Sequence, residues 1–272
     1  MIKLIATDMD GTLLTDDKQL PQENIAALEQ VSAAGVKVAI CTGRMKSGVI
    51  PYFKELTIGD FAILNNGCST YSTKDWSLTA YHALSLAEIA DLVELCQAYP
   101  GIYLTLVEKE NLYVLADHVP EIVAYDASLV FTQAIATDLA TVEAEDFLVF
   151  QAMFMGDEEL LDRFQQEQAA NLAQQFSVVR SQSYIFEAMP KGVNKASALA
   201  ELADRFALTP DQIMAIGDGN NDLEMLAYAG LGVAMGNATA EVKASTNYLT
   251  RTNEEAGVAQ AIRTYILNKG LA

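Results

Sequence analysis

Short apolar runs alternate with helical patterns at both ends of the 272-residue chain, and this alternation constrains the fold more than any other feature. Near the start, residues 4–7, 36–40 and 61–64 predict strands, and a helical pattern over residues 24–34 separates the first two. Buried strands separated by helices predict a parallel sheet with helices on both faces. In this doubly wound α/β arrangement, ligands bind beyond the carboxyl ends of the strands.

The last third of the chain repeats this pattern, whereas the middle departs from it. Helices are predicted at 194–206, 222–229 and 258–267, and strands at 213–216 and 232–235. In the middle, residues 104–107 and 112–115 predict an antiparallel hairpin, accompanied by helices at 86–98, 119–129 and 158–176 and strands at 147–154, 177–180 and 184–188. We therefore predict a discontinuous Rossmann-like core, residues 1–83 and 189–272, with an inserted α+β cap, residues 84–188.

The charge of the chain limits its partners. The formal net charge is −19 at pH 7, so the surface repels nucleic acid and anionic membranes, and we expect neither as a partner. An anionic phosphate ligand would need a site made locally positive by a metal, Lys, Arg or backbone N–H groups. An odd number of cysteines without a CxxC pair, and the lack of a signal-like or membrane-spanning apolar segment, predict a folded cytoplasmic protein.

Two carboxylates follow the first predicted strand in the segment Asp8-Met9-Asp10-Gly11-Thr12. Carboxylates held close together at the buried end of a sheet need a shared proton or a cation, and Mg²⁺ prefers such oxygen ligands. The segment therefore predicts a Mg²⁺ site. The alternative is that Asp10-Gly11 only forms a turn.

Four ordered motifs resemble those of the haloacid dehalogenase-like superfamily. The first has the form Asp-x-Asp-x-Thr, the second ends a core strand with Thr, the third begins a helix with Lys, and the fourth is an acidic loop. The matching residues are Asp8, Asp10 and Thr12; Thr42 in Cys41-Thr42-Gly43-Arg44; Lys195 in Gly192-Val193-Asn194-Lys195; and Gly217-Asp218-Gly219-Asn220-Asn221-Asp222.

The Cof-type subfamily of sugar-phosphate phosphatases is matched more closely still. Its phrases occur here as Thr-Gly-Arg, Asn-Asn-Gly, Gly-Asp-Gly-Asn-Asn-Asp and Gly-Val-Ala-Met-Gly-Asn-Ala. Such proteins carry a large α+β cap between the second and third motifs, which agrees with the insert expected at residues 84–188. Ala196 departs from the Gly of many relatives, and this has no catalytic consequence that we can identify.

The resemblance implies a Mg²⁺-dependent phosphatase acting on a small phosphorylated metabolite. Asp8 would attack phosphorus to form an aspartyl-phosphate, and Asp10 would act as general acid and base. Mg²⁺ would be held by Asp8, Asp218 and the backbone carbonyl of Asp10. The cap would close over the core and select the substrate, whose identity the sequence leaves open.

The phosphoryl oxygens need donors, which the resemblance also supplies. They would be bound by the Thr42 hydroxyl, the N–H groups of Met9 and Gly43, and the side chains of Lys195 and Asn221. Asp222 would orient Lys195 or nearby water. Two further features stay open: Arg44 is either a substrate contact or a structural ion pair, and residues 65–67 form either a simple Asn-Gly turn or a substrate-facing loop.

Three alternatives share part of this chemistry. A phosphotransferase or phosphomutase would deliver the phosphoryl group to a hydroxyl instead of water. A receiver-like signalling protein would keep a long-lived phosphoaspartate, but such a domain is compact and lacks a cap, and Asp10 provides a route to hydrolysis. A non-catalytic sugar-phosphate binding protein is disfavoured because the full acid–base and metal set is present.

Overall fold

The computed structural model describes residues 1–56 and 58–269. In chain order the strands are β1 (Leu4–Thr7), β2 (Lys37–Cys41), β3 (Phe61–Leu64), β4 (Ser69–Ser72), β5 (Leu78–Tyr81), β6 (Tyr103–Glu108), β7 (Leu112–Leu115), β8 (Ala134–Thr137), β9 (Val149–Met155), β10 (Phe176–Gln182), β11 (Ile185–Pro190), β12 (Ile213–Gly217), β13 (Leu231–Ala234) and β14 (Tyr248–Leu249). The helices are α1 (Gln22–Ala33), α2 (Leu86–Gln97), α3 (Glu121–Leu129), α4 (Leu139–Ala144), α5 (Glu158–Gln175), α6 (Lys195–Arg205), α7 (Leu223–Tyr228), α8 (Ala240–Ser245) and α9 (Gly257–Tyr265).

The chain forms two compact units. The first consists of Met1–Gly43, Pro51–Ala80 and Asn194–Ala272, and the second of Arg44–Ile50 and Tyr81–Val193.

The first unit is built on a sheet with the strand order β14-β13-β12-β1-β2-β3-β4-β5. The six strands from β14 to β3 pair in parallel, whereas β4 runs antiparallel to β3. Every residue of β1 and β12 is buried, as expected for central strands of a sheet covered on both faces. Strands β2 and β3 lie on one side of β1, whereas β12 and β13 lie on its other side. The direction in which the chain winds therefore reverses between β1 and β12.

This reversal determines where a ligand can bind. The connections that follow the strands on the two sides of a reversal go to opposite faces of the sheet and leave a crevice between them. The backbone N–H of Asp8, just after β1, donates to Ile216 of β12 at 2.9 Å. The backbone N–H of Thr42, just after β2, donates to Ile63 of β3 at 2.9 Å. The loops after β1, β2, β3 and β12 therefore begin at the same edge of the sheet.

The second unit has a six-stranded sheet with the order β10-β11-β9-β6-β7-β8. Its strands pair antiparallel except β7 and β8, which are parallel. One face packs on α2 and α5 through an apolar cluster that includes Leu92, Phe154 and Phe164. The other face carries a cluster that includes Val123 of α3 and Met155 of β9. Alternating side chains of each strand thus supply two apolar layers.

The predicted α/β class with a parallel sheet is confirmed, and so is the hairpin formed by β6 and β7. The sequence did not indicate β4, β5, β8, β14, α4 or α8, which are short or polar. Arg44–Ile50 belongs to the second unit, although the predicted boundaries assigned it to the core. Ser47 donates to the carbonyl of Val130 at 2.7 Å and Met45 joins the apolar cluster around α3, and these contacts hold the segment there. Among the described residues, no helix combines the length and the apolar character needed to cross a bilayer.

Candidate active site

A buried lysine connects two of the predicted site carboxylates. Nζ of Lys195 donates to Oδ1 of Asp8 and to Oδ1 of Asp222, each at 2.6 Å, and all three side chains are buried. Asp8 follows β1, Asp222 lies in the loop after β12, and Lys195 is the first residue of α6. The fold therefore brings residues 187 positions apart into direct contact.

Lys195 is held in place by the start of its helix. Asn194 caps α6, because its Oδ1 accepts the backbone N–H of Ser197 at 2.9 Å. The Ser197 hydroxyl oxygen in turn accepts the Asn194 N–H at 3.0 Å, which completes a reciprocal cap. A capped first turn fixes the direction in which the lysine side chain leaves the helix.

The acidic loop after β12 is closed by its own carboxylate. Oδ2 of Asp222 accepts the backbone N–H groups of Asp218 and Gly219, each at 3.0 Å. Oδ1 of Asp218 accepts the hydroxyl of Thr12 at 2.6 Å, which joins this loop to the segment after β1. Both oxygens of Asp222 are thus engaged within the protein, which suits an orienting role for this residue.

Three neighbouring carboxylates offer the oxygen ligands that a divalent cation site needs. Asp8, Asp218 and Asp222 each offer an oxygen, and these oxygens all lie within 4.8 Å of one another. The ammonium of Lys195 balances one of the three negative charges, which leaves two for a cation to neutralise. Carboxylate oxygens are preferred ligands of Mg²⁺, so the donor set fits this metal. Asp8 and Asp218 are the stronger candidate ligands, because Asp222 already bonds through both oxygens.

The electrostatics of the cluster reflect its burial. Burial raises the pKa of Asp8 well above its ordinary value, and the Lys195 ammonium works against this rise. Burial also raises the pKa of Asp218 to about 6, while the hydrogen bond from Thr12 works to lower it. For Lys195, burial works to lower the pKa, but Asp222 and Asp8 outweigh it, so its pKa lies above the ordinary value and the side chain is charged. The carboxylates therefore gain from any additional positive charge.

The predicted phosphate-binding residues form a second connected group. The carbonyl of Thr42 accepts the backbone N–H of Asn66 at 3.1 Å. Nδ2 of Asn221 donates to Oδ1 of Asn66 at 3.0 Å. A Cβ atom at Gly43 would lie 3.1 Å from Nδ2 of Asn66, so the amide of Asn66 packs directly against Gly43. Asn221 precedes Asp222 in the chain, which links this group to the carboxylate cluster.

The remaining predicted residues lie after β1 and β2. Oδ1 of Asp10 pairs with Nζ of Lys18 at 2.8 Å, and both side chains are partly exposed. The neighbouring Met9 is buried, and its carbonyl accepts the backbone N–H of Leu14 at 2.9 Å. Arg44 donates to the carbonyl of Gly48 at 3.0 Å within the second unit. The structure thus places the Asp10 side chain on Lys18, while Asp222 completes the carboxylate cluster.

Some candidate residues were not indicated by the sequence. In the second unit, Thr105, Gln151 and Glu187 are buried polar residues on a largely apolar sheet face. Thr105 and Glu187 both lie opposite Met153 of β9, and Gln151 is two residues away on the same strand. Oε1 of Gln151 has no hydrogen-bond partner among the described residues. Only the strand register, which the sequence does not reveal, brings these three side chains to one face.

Comparison with known proteins identifies the family and several similar proteins. A family model of haloacid dehalogenase-like hydrolases matches residues 5–262. YxeH of Bacillus subtilis is 33% identical over 272 residues, covering 99% of this chain and 100% of that protein. YcsE of the same organism, a 5-amino-6-(5-phospho-D-ribitylamino)uracil phosphatase, is 32% identical and covers 98% of this chain and 96% of its own length.

A solved structure extends the likeness to three dimensions. The HAD subclass IIB sugar phosphatase BT4131 superposes with a TM-score of 0.82 at 25% identity. The match covers 99% of this chain and 100% of that one. Because the relatives are covered almost completely, the likeness includes both units of the chain.

Proposed function

The chain belongs to the haloacid dehalogenase-like hydrolase family and is a phosphatase of that family, and we propose that it hydrolyses small phosphorylated metabolites through a phosphoryl group carried on Asp8. The observation that carries this proposal is the buried contact of Asp8 with Lys195 at 2.6 Å, next to Asp218. A carboxylate buried away from water is less solvated, so it is a better nucleophile than the same group in water.

The first step is transfer of the phosphoryl group to Asp8. An oxygen of the Asp8 carboxylate forms a bond to phosphorus, and the bond from phosphorus to the leaving oxygen breaks. In the second step, water attacks the same phosphorus, inorganic phosphate leaves, and the carboxylate is regenerated. Lys195 donates to Asp8 at 2.6 Å and so orients the carboxylate for attack.

Mg²⁺ would be held by Asp8, Asp218 and the backbone carbonyl of Asp10, and it would supply positive charge where an anionic nucleophile meets an anionic phosphate. The two negative charges left on the carboxylate cluster support this assignment. Thr12 positions Asp218 for this role through its 2.6 Å hydrogen bond. Asp222 holds the loop and Lys195 in place.

Asp10 acts as the general acid and base. It gives a proton to the leaving oxygen in the first step and takes one from the attacking water in the second, so its protonation state is restored after each cycle. Its carboxylate is partly exposed, so it can exchange protons with solvent. Lys18 anchors it at 2.8 Å.

The phosphoryl oxygens are bound by Thr42, the N–H groups of Met9 and Gly43, Lys195 and Asn221. These donors provide the local positive potential that a chain with a net charge of −19 needs in order to bind an anion. Asn66 supports the assignment, since it contacts Thr42, Gly43 and Asn221 together.

Sugar phosphates are the proposed substrate class. BT4131 is a sugar phosphatase, and the substrate named for YcsE carries its phosphate on a ribityl chain, so both leaving groups are rich in hydroxyls. We assign the choice of substrate to the second unit, residues 84–188 in the predicted division. Thr105, Gln151 and Glu187 are its candidate selectivity residues, because they are buried polar side chains on one sheet face. Oε1 of Gln151 has no hydrogen-bond partner among the described residues, and such a buried group favours a ligand that completes its hydrogen bonds. The cytoplasmic location stays a prediction.

The test is phosphate release from a panel of sugar phosphates, polyol phosphates, nucleotides and phosphorylated cofactors. Wild type, Asp8→Asn and Asp10→Asn are compared with Mg²⁺ and with a chelator. The proposal predicts turnover that needs Mg²⁺, is abolished in Asp8→Asn and falls by about 10²–10⁴-fold in Asp10→Asn. Full activity of Asp8→Asn would refute the role of Asp8. Product containing a newly phosphorylated sugar, with no free phosphate, would favour a phosphotransferase or phosphomutase instead.

A further inference from the structure

The loop after β3 has an uncommon backbone conformation. Residues Asn65, Asn66 and Gly67 have φ values of 52°, 53° and 107°, so two consecutive non-glycine residues adopt the left-handed conformation. All three are buried. Such a conformation is unfavourable for most residues with a Cβ atom, and asparagine tolerates it better than the others. The contacts of this loop indicate what the conformation is for.

Asn66 connects two separate loops of the predicted phosphate site. Its backbone N–H donates to the carbonyl of Thr42 at 3.1 Å, and its side-chain amide packs against Gly43. Its Oδ1 accepts Nδ2 of Asn221 at 3.0 Å. Thr42 and Gly43 follow β2, whereas Asn221 lies in the loop after β12, so one side chain spans the two sides of the winding reversal.

The next residue ties the loop to the lysine helix. A Cβ atom on Gly67 would overlap the carbonyl oxygen of Asn194, which caps α6. The same Cβ atom would lie 3.2 Å from the backbone nitrogen of Lys195. Glycine is required here by both its φ and the close approach of the two backbones. The loop thus touches every element that carries a predicted side-chain donor for phosphate.

We propose that Asn66 is a positioning residue that fixes the carboxamide of Asn221 for the transferring phosphoryl group, an inference that rests on the proposed function. An amide nitrogen carries two hydrogens. The bond to Asn66 uses one of them and sets the plane of the amide, and the second hydrogen is presented to a phosphoryl oxygen. Asn66 itself does not touch the substrate, so its effect is transmitted through Asn221.

A double-variant cycle tests this directly. The variants are Asn66→Gly, Asn221→Ala and the pair together. Glycine suits the φ of 53° at position 66, so the change removes the amide without adding backbone strain. Two quantities are measured: kcat/KM with the best substrate of the panel, and the affinity for inorganic phosphate by calorimetry in the presence of Mg²⁺. Thermal unfolding checks that each variant is folded, and Asn66→Ser replaces Asn66→Gly if glycine prevents folding.

The proposal predicts that Asn66→Gly lowers phosphate affinity and kcat/KM by about 10- to 100-fold, the range found when the supporting partner of a ligating group is lost. It also predicts that the double variant is no worse than Asn221→Ala, because Asn66 acts through that residue. If the losses of kcat/KM or phosphate affinity in the two single variants multiplied in the double variant, the proposal would be overturned. An Asn66→Gly variant with unchanged phosphate affinity would also overturn it. If wild type released no phosphate from any substrate, the proposed function would fail, and the calorimetric cycle would still decide whether Asn66 positions Asn221.

Discussion

The ammonium of Lys195 lies 2.6 Å from Oδ1 of Asp8, with the lysine completely buried and the carboxylate nearly so. The same ammonium also contacts Asp222 at 2.6 Å. One cation thus contacts two buried carboxylates, so the stability of the core of the first unit depends on the same side chain that is proposed to bind phosphate.

Replacing Lys195 with Met should therefore destabilise the protein strongly. Two buried carboxylates lose their partner, and breaking a buried pair in this way costs about 3–5 kcal/mol of unfolding free energy. Urea unfolding near neutral pH measures the loss. Arg163→Met is the control, because it removes a cation from an exposed pair with Glu167 and should cost less than about 1 kcal/mol. Equal losses in the two variants would show that the buried pair has no special role.

Gly11 offers a way to disturb Asp218 without changing any charge. It has a φ of +75°, and a Cβ atom there would overlap the Asp218 carboxylate. Gly11→Ala should both strain the backbone, by about 1–2 kcal/mol, and displace Asp218 from the cluster. We expect a loss of Mg²⁺ affinity as well as of stability, measured by calorimetry and thermal unfolding.

Gly35→Ala is the matched control for that experiment. Gly35 has a φ of +86°, but nothing lies within 4 Å of its Cβ position, so alanine there adds only the backbone strain. The variant should lose similar stability from strain and keep the Mg²⁺ affinity of wild type. If Gly11→Ala kept that affinity too, Asp218 would not be the ligand proposed.

Much of the first unit follows from local sequence, whereas the connections within the site do not. The strand before Asp8 and the helix beginning at Lys195 are predicted from apolar runs and a helical pattern, because each is local. The prediction for Asp222 is that it orients either Lys195 or nearby water, and in the structure Asp222 accepts a hydrogen bond from Lys195. The bonds of Thr12 to Asp218, Lys18 to Asp10 and Asn221 to Asn66 depend on how distant loops meet, and no spacing indicates them.

The second unit shows the same division between local and distant information. Its hairpin, formed by β6 and β7, is visible in the sequence because the turn between the strands is short. Glu187 lies opposite Met153 because β11 pairs with β9, and the two residues are 34 positions apart in the chain. The sequence of either strand alone therefore does not predict this position. The strand Ser69–Ser72 was missed because three of its four residues are Ser or Thr.

The stabilisation by Mg²⁺ should depend on pH. Burial raises the pKa of Asp218 to about 6, above its ordinary value of 3.8, so the protonated side chain favours the folded state at low pH. This contribution is complete below the unfolded pKa and is lost as pH rises through about 6. The metal-free protein should then lose stability over this range, and Mg²⁺, which binds the ionised carboxylate, should restore it.

We therefore expect a larger Mg²⁺-induced rise in melting temperature at about pH 7.5 than at about pH 5. Asp218→Asn should be less sensitive to pH between these values without metal, and should gain little stability from Mg²⁺. Thermal unfolding with Mg²⁺ or chelator gives both results. If Mg²⁺ raised the melting temperature of wild type as much at the lower pH as at the higher pH, this result would argue against Asp218 as a ligand.

Substrate preference should change when one of the buried polar residues Thr105, Gln151 and Glu187 of the second unit is altered. Glu187→Gln keeps the size of the side chain and removes its charge. An unmatched buried polar contact costs about 1–3 kcal/mol, so the ratio of kcat/KM values across the panel should change by about 5- to 150-fold. Glu143→Gln is the control, because that carboxylate is exposed, and it should leave the ratio unchanged. Identical profiles for both variants would remove Glu187 from the selectivity residues.

The central claim is that Asp8 carries the phosphoryl group during turnover. The most direct test is to stop the reaction in acid during steady-state turnover of the best panel substrate and to locate the phosphoryl group by peptide mass spectrometry. The account predicts a phosphoryl group on the peptide that contains Asp8, in wild type or in Asp10→Asn, and none in Asp8→Asn. The account would be contradicted if wild type turned over substrate and the phosphoryl group lay on another residue. It would also be contradicted if Asp8 carried no phosphoryl group in both wild type and Asp10→Asn.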